Sequence, residues 1–186
     1  VLVNDGSKKM QRNKYSSEYP SIKIIDYNIN RGVSYASNQA INSTDSDYFM
    51  RVDADDFLSI RASLILITFL ENNKNYPFVY GDIEKIEKKE LNKIIKRNKL
   101  QNLLEYGAGV MFRTKILKEI KGYDTNLRNC EDYDLVARII KKYGHGLYLP
   151  ISYYRYYKTN MSHLTNLKSR SKLIEKIKKK YEENLW

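Results

Sequence analysis

Apolar residues come along this chain in short bursts whose spacing switches between a strand-like period of two and a helical period near four. Val1–Val3 opens apolar and runs into Asn4-Asp5-Gly6-Ser7, a strand entering a turn in which Gly6 permits positive φ and Ser7 can cap the next segment. Residues 8–20 are polar and predict a helix that stops at Tyr19-Pro20. Ser21–Ile25 reads as a second strand. From Asn28 to Ile41 the pattern predicts a polar turn and a helix with Val33, Ala36, Ala40 and Ile41 on one face. Tyr48–Val52 predicts a strand, Ser59–Asn73 a helix, and Pro77–Asp82 a strand ending in an acid.

The charged stretch 84–105 leans to helix through Leu91, Ile94, Ile95 and Leu103. Gly107–Arg113 predicts a strand and Thr114–Lys121 a short helix. Tyr133–Tyr143 predicts a longer helix with Leu135, Ile139 and Ile140 inward and Gly144 as its stop. Two more strands, Gly146–Leu149 and Ile151–Tyr157, flank Pro150. The second sets Tyr154 and Tyr156 on one face, and Tyr153, Arg155 and Tyr157 on the other. Strands alternating with helices predict an α/β layer structure.

At 186 residues the chain is one domain with room for a real core. Its net charge of +11 points to polyanionic partners: nucleic acid, an anionic membrane surface or phosphorylated substrates. No nucleic-acid-binding motif is legible, so nucleic acid is not expected as a partner. The single cysteine, Cys130, excludes a disulfide framework and fits a reducing, cytoplasmic compartment. No apolar run approaches the ~18 residues of a membrane span, and no signal peptide is legible in the sequence. The tail Lys168–Trp186 predicts a basic helix with Leu173, Ile174, Ile177 and Tyr181 on one side. It either docks on the domain or lies against the inner face of the cell membrane as a peripheral contact. The expected division is 1–163 for the main domain and 164–186 for this helix.

The candidate chemistry centres on Asp53-Ala54-Asp55-Asp56, where a strand should end. Asp53 and Asp55 are two apart, so an extended backbone aims them to the same side. Such like charge is costly unless a cation sits among the carboxylates. Oxygen ligands alone suit Mn²⁺ or Mg²⁺ with positions left open for phosphate oxygens. Carboxyl ends of strands are also where open α/β sheets bind ligands. An EF-hand is excluded, because Leu58 and Leu64 stand where it needs Gly and Glu. Capping of the following helix by Asp55 or Asp56 stays open. Asp5 suits a nucleotide base or ribose, and Arg31 beside Gly32 a diphosphate; a plain Asp-Gly turn and a solvated Arg are the alternatives.

Together these stretches resemble family 2 of the glycosyltransferases, with a GT-A fold. Asn4-Asp5-Gly6-Ser7 resembles the family's Asp-Asp-Gly-Ser turn, with Asn4 departing from it. Asn28 to Ile41, with Arg31-Gly32 and Asn38 in place, is similar to its Asn-x-Gly-x-x-x-Ala-x-Asn segment, and Ser37 stands where many members carry Arg. Arg51-Val-Asp-Ala-Asp-Asp56 is similar to its metal-binding strand. Gly107–Arg113, Gly122-Tyr-Asp124, Glu131–Leu135 and Arg138 resemble its acceptor-side block, and Tyr154-Arg155 with Ser162 its closing stretch. The family's opening strand, Pro-Thr-Tyr-Asn-like turn and helix have no counterpart here, which implies an N-terminally incomplete mixed sheet flanked by helices and a fragment of a longer chain.

The resemblance implies transfer of a sugar, with inversion, from a nucleotide-diphosphate sugar, UDP-linked first, to a glycan or lipid-linked acceptor; a sugar nucleotidyltransferase and a truncated, catalytically inactive interaction protein are the alternatives. Asp55 and Asp53 would hold the metal, with Asp53 also at the ribose and Asp5 and Arg31 on the nucleotide. Asp132 is the expected base, with Glu131 second and Asp82 next; Gly107 and Asp82 belong to the acceptor side. A helix N-terminus lowers the basicity of such an acid pair, burial raises it, and capping is the alternative role.

Overall fold

The computed structural model describes residues 1–8, 10, 12–86, 93–157 and 167–181. In chain order the elements are β1 (Leu2–Asp5), α1 (Arg12–Glu18), β2 (Ile24–Tyr27), α2 (Val33–Asn42), β3 (Tyr48–Met50), β4 (Phe57–Leu58), α3 (Ala62–Asn72) and β5 (Phe78–Ile86). They continue with β6 (Lys93–Ile95), α4 (Leu100–Glu105), β7 (Met111–Arg113), α5 (Thr114–Glu119), α6 (Glu131–Tyr143), β8 (Leu147–Tyr157) and α7 (Leu167–Tyr181).

β1 and β2 pair in parallel as a small sheet of their own. The main sheet runs β3-β7-β5-β8-β4, with β6 added to β5. Only β5 and β8 pair in parallel within it, so the sheet is mixed. β5 is central and its first six residues are buried, as expected of a strand covered on both faces. Its alternation divides the core. Phe78 and Tyr80 face α6 and its Leu135, Val136 and Ile139, while Val79 and Ile83 face α3 and its Leu66 and Leu70. The tail helix α7 joins the first cluster: Ile177 and Tyr181 are buried in it, and Leu173 and Ile174 pack against it. Its apolar stripe is therefore turned inward, and no helix among the described residues is long and apolar enough to cross a membrane.

Four expectations change. The helical reading of 84–105 gives way to strand: β5 continues to Ile86, and Ile94 and Ile95 sit in β6 opposite Glu84 and Ile83. β-branched residues suit that pairing, and only Leu100–Glu105 is helical; Leu91 lies outside the described residues. The two strands around Pro150 are one strand, β8. Against β5 its register jumps from Leu149–Gly81 to Ser152–Asp82, then to Tyr154–Ile83, so bulges absorb Pro150 and Ile151, then Tyr153. The bulge breaks strict alternation, and Tyr153 and Tyr154 are both buried. The helix expected from Ser59 starts at Ala62, and Phe57–Leu58 pairs with β8 instead. In α2 the buried positions are Ser34, Ser37, Ala40 and Ile41; Val33 and Ala36 line a groove of about 420 Å³ between β1 and β3.

Candidate active site

Asp53, Asp55 and Asp56 follow β3 and meet three different fates. Asp56 is buried, accepts the Tyr154 hydroxyl (2.7 Å) and the Tyr157 N–H (3.0 Å), and so ties this turn to β8. Burial raises its pKa, against which those two hydrogen bonds work. Asp55 is exposed. Asp53 is half-buried, with Oδ1 3.0 Å from the Arg51 Nε. Capping is not their role, since α3 is preceded by Arg61 and has no side-chain cap.

Arg51 is the hinge of the site. Period-two alternation puts it on the same side as Asp53, and its guanidinium crosses to α6. Its Nη2 donates to Asp132 Oδ2 at 2.8 Å, and Nη1 reaches Glu131 Oε1 at 3.4 Å. The ring of Tyr123 lies 5.6 Å below its charge centre. Burial works against the Arg51 charge, but Asp132, Tyr123, Asp53 and Glu131 together hold its pKa well above the ordinary value. Tyr123 is buried, which pushes its phenol up. Its backbone is clasped by α2: Asn38 Nδ2 donates to the Tyr123 carbonyl and accepts the Tyr123 N–H at Oδ1, both at 2.8 Å.

Glu131 and Asp132 open α6 after Cys130, whose φ of 59° is left-handed. The dipole of α6 favours their ionised forms. Burial wins: it raises both carboxyls, reinforced for Glu131 by the neighbouring Asp132 charge, and opposed in each by Arg51. Gly107 presses on this pair, because a Cβ there would stand 2.3 Å from the Cβ of Asp132. Arg51, Asp53, Gly107, Cys130, Glu131 and Asp132 line one cleft of about 170 Å³. A buried carboxyl of raised pKa, held by one cation and open to a cleft, is suited to taking a proton from a hydroxyl.

The other predicted residues lie apart from this cleft. Asp82 does not line it: the side chain is buried, accepting the Arg97 N–H (3.0 Å) and the Tyr148 hydroxyl (2.7 Å) and pairing with Lys96 (2.9 Å). Burial raises its pKa, but those bonds outweigh it and the net shift is down. Asp5 takes the N–H groups of Arg31 (2.8 Å) and Gly32 (2.7 Å) and lines a separate pocket at the start of α2. The Arg31 guanidinium rests between Tyr27 and Tyr35, 5.5 and 4.9 Å from their ring centres. No three His, Cys, Asp or Glu side chains among the described residues form a metal-holding group. Asp55 and Asp53 present hard oxygens at an open strand end, which suits a divalent cation that takes its remaining ligands from phosphate and water. Arg51 and Tyr123 went unassigned in the sequence; the two-residue spacing from Arg51 to Asp53 was the available signal for the first.

The model of glycosyl transferase family 2 matches residues 1–125. An uncharacterized glycosyltransferase of Haemophilus influenzae is 22% identical over 199 residues, covering 97% of this chain and 66% of that protein. The structure of S. aureus TarS 1–349 in complex with UDP-GlcNAc superposes with a TM-score of 0.74 at 16% identity, over 95% of this chain and 56% of that one. The mannosyltransferase PcManGT from Pyrobaculum calidifontis, in complex with GDP-Man and Mn²⁺, superposes with a TM-score of 0.64 at 14% identity, over 88% and 48%. This chain thus spans less than two thirds of these relatives' length. The mixed sheet between helix layers is that of the GT-A glycosyltransferases, and with a family match over residues 1–125 of 186 the chain belongs to glycosyl transferase family 2.

Proposed function

We propose that this chain transfers a sugar from a nucleotide-diphosphate sugar, UDP-linked, to a hydroxyl of a glycan or lipid-linked acceptor, with inversion. The observation that carries the reading is Arg51, which joins the strand-end acid Asp53 to the acid pair Glu131–Asp132 across one cleft. Asp132 is the base: it faces the cleft, is fixed by Arg51, and has a carboxyl that burial makes more basic. Glu131 stands behind it and shares the same cation. Asp5 and the start of α2 hold the nucleotide side, and Gly107, packed directly against Asp132, lines the acceptor side.

Asp55 and Asp53 are the residues that would hold Mn²⁺ or Mg²⁺, which would supply Lewis-acid neutralisation of the leaving diphosphate. The protein's own part is to keep the base and Asp53 on one guanidinium, that of Arg51, so that donor and acceptor hydroxyl meet in line. With the apolar side of α7 turned into the core, membrane contact at the cytoplasmic face is left to its exposed Lys172, Lys176 and Lys179 and is electrostatic. Calorimetric titration of UDP with Mn²⁺, with and without chelator, tests the donor half, and release of UDP from UDP-GlcNAc tests the chemistry. Metal-dependent binding with UDP release is the expected result. Binding unaffected by chelator removes the metal; absence of UDP binding removes the donor assignment.

A further inference from the structure

Arg97 is a fully buried cation that the proposed chemistry leaves unused. Among the described residues no carboxylate meets its guanidinium, and Asp82 takes its backbone N–H instead. Its ligands are almost all main-chain oxygens. Nε donates to the Gly81 carbonyl, Nη1 to the carbonyls of Tyr106 (2.7 Å) and Ala108 (2.8 Å), and Nη2 to the Tyr153 hydroxyl (3.4 Å). Tyr153 in turn donates to the Gly109 carbonyl at 2.5 Å. Burying a guanidinium is expensive unless its donors are met, and here they are met by oxygens of Gly81, Tyr106, Ala108 and Tyr153, which ties the 106–108 loop to β5 and β8.

That loop is the wall of the cleft opposite α6. Tyr106, Gly107 and Ala108 line the cleft, and Gly107 abuts Asp132. A trans peptide points its C=O and the following N–H in opposite directions. Drawing the Tyr106 carbonyl to Arg97 therefore turns the Gly107 N–H away from Arg97, and Gly107 itself lines the cleft. No backbone or side-chain acceptor among the described residues takes that N–H.

We propose that Arg97 is a positioning residue of the acceptor wall: by gathering the carbonyls of Tyr106 and Ala108 it presents the Gly107 N–H beside Asp132, where it holds an oxygen of the acceptor. The acceptor part rests on the transferase reading. The cleft carries Asp53, Glu131 and Asp132 against Arg51, the single cation among the described residues that line it, so the oxygen is that of a neutral sugar hydroxyl, since a phosphate would be repelled.

The test is Arg97→Lys, which keeps the charge and loses the planar fork. In ¹⁵N-glycine-labelled protein, whose eight glycines give a sparse spectrum, the signals of Gly107 and Gly109 shift and their amides exchange about tenfold faster. Those of Gly6, Gly32 and Gly144 stay in place. UDP affinity with Mn²⁺ holds within about twofold, while UDP release from UDP-GlcNAc slows about tenfold or more. Unmoved Gly107 and Gly109 signals, eight signals moving together in a folded protein, or unchanged turnover with the loop displaced overturns the proposal. If Arg97→Lys does not fold, Tyr153→Phe removes the hydroxyl that accepts from Arg97 Nη2 and the Gly81 N–H and donates to the Gly109 carbonyl, and decides by the same signals. If the unmodified protein neither binds UDP nor releases it from UDP-GlcNAc, the transferase reading and the acceptor part fall, and the glycine signals still decide how Arg97 holds the loop.

Discussion

On the side of the cleft proposed to hold the base, every group is held from several directions. Asp132 meets Arg51 at 2.8 Å, Arg51 rests on Tyr123, Tyr123 is clasped by Asn38, and Gly107 closes on Asp132 from a loop fastened by Arg97. On the proposed donor side Asp55 is exposed, Asp53 keeps a side chain 35% open, and Asp5 sits at the end of a two-stranded sheet outside the main one. A base works only at a fixed distance and pKa, so its surroundings are built in advance. A cation–diphosphate site draws much of its coordination from the ligand and tolerates looser walls.

The contrast is broken most severely at Asp132. Asp132→Asn keeps the shape but cannot accept a proton; turnover of UDP-GlcNAc falls about 10²–10⁴-fold while calorimetric UDP affinity stays put. Equal losses in both would erase the division between the halves. Gly107→Ala comes next, because the added Cβ must displace Asp132; about 10²-fold lower turnover with unchanged UDP affinity is expected from steady-state kinetics.

The pH profile sharpens the same point. Burial raises the Glu131 and Asp132 carboxyls, so turnover rises with pH through a limb above the usual carboxylate range. Arg51 opposes that rise, and Arg51→Gln moves the limb upward by about one pH unit; a limb that stays or moves down contradicts the arrangement. On the donor side, Asp55→Ala weakens Mn²⁺-dependent UDP binding about tenfold yet leaves thermal stability within about 0.5 kcal/mol, as for an exposed side chain without partners among the described residues. Asp56→Ala, only one residue on, removes the buried acceptor of Tyr154 and Tyr157 and costs about 1–3 kcal/mol in a denaturant titration.

The alternation of strands and helices was legible because β5 and α3 are continuous apolar runs of strand and helix length, and α6 carries a helical period that ends at Gly144. What escaped reading depends on partners distant in sequence. Pro150 looks like a break between strands, and only the register against β5 shows that bulges carry it. Ile94 and Ile95 sit in a charged run with no alternation to mark them, and their strand character comes from pairing with β5. Asp82 ends the strand predicted as Pro77–Asp82 much as Asp53 follows β3, so spacing alone cannot tell a structural acid from a chemical one; the difference is Lys96, Tyr148 and the Arg97 amide. Arg97 lies in a stretch rich in lysine, where a solvated side chain is the natural reading, and it is buried because four carbonyl and hydroxyl oxygens converge on it.

The clasp between Asn38 and the Tyr123 backbone limits what evolution can do at three positions together. A peptide group offers one donor and one acceptor, and of the side chains of this size only a carboxamide answers both. Aspartate at 38 would set an acceptor against the Tyr123 carbonyl, and leucine would leave both backbone groups without a partner. Gly122 is bound into the same arrangement, since its φ is 65° and a Cβ would stand 2.2 Å from the Asn38 Oδ1. A descendant chain that replaces Asn38 must therefore rebuild the turn at Gly122–Tyr123 in the same lineage, although neither position touches a substrate in the proposed reaction.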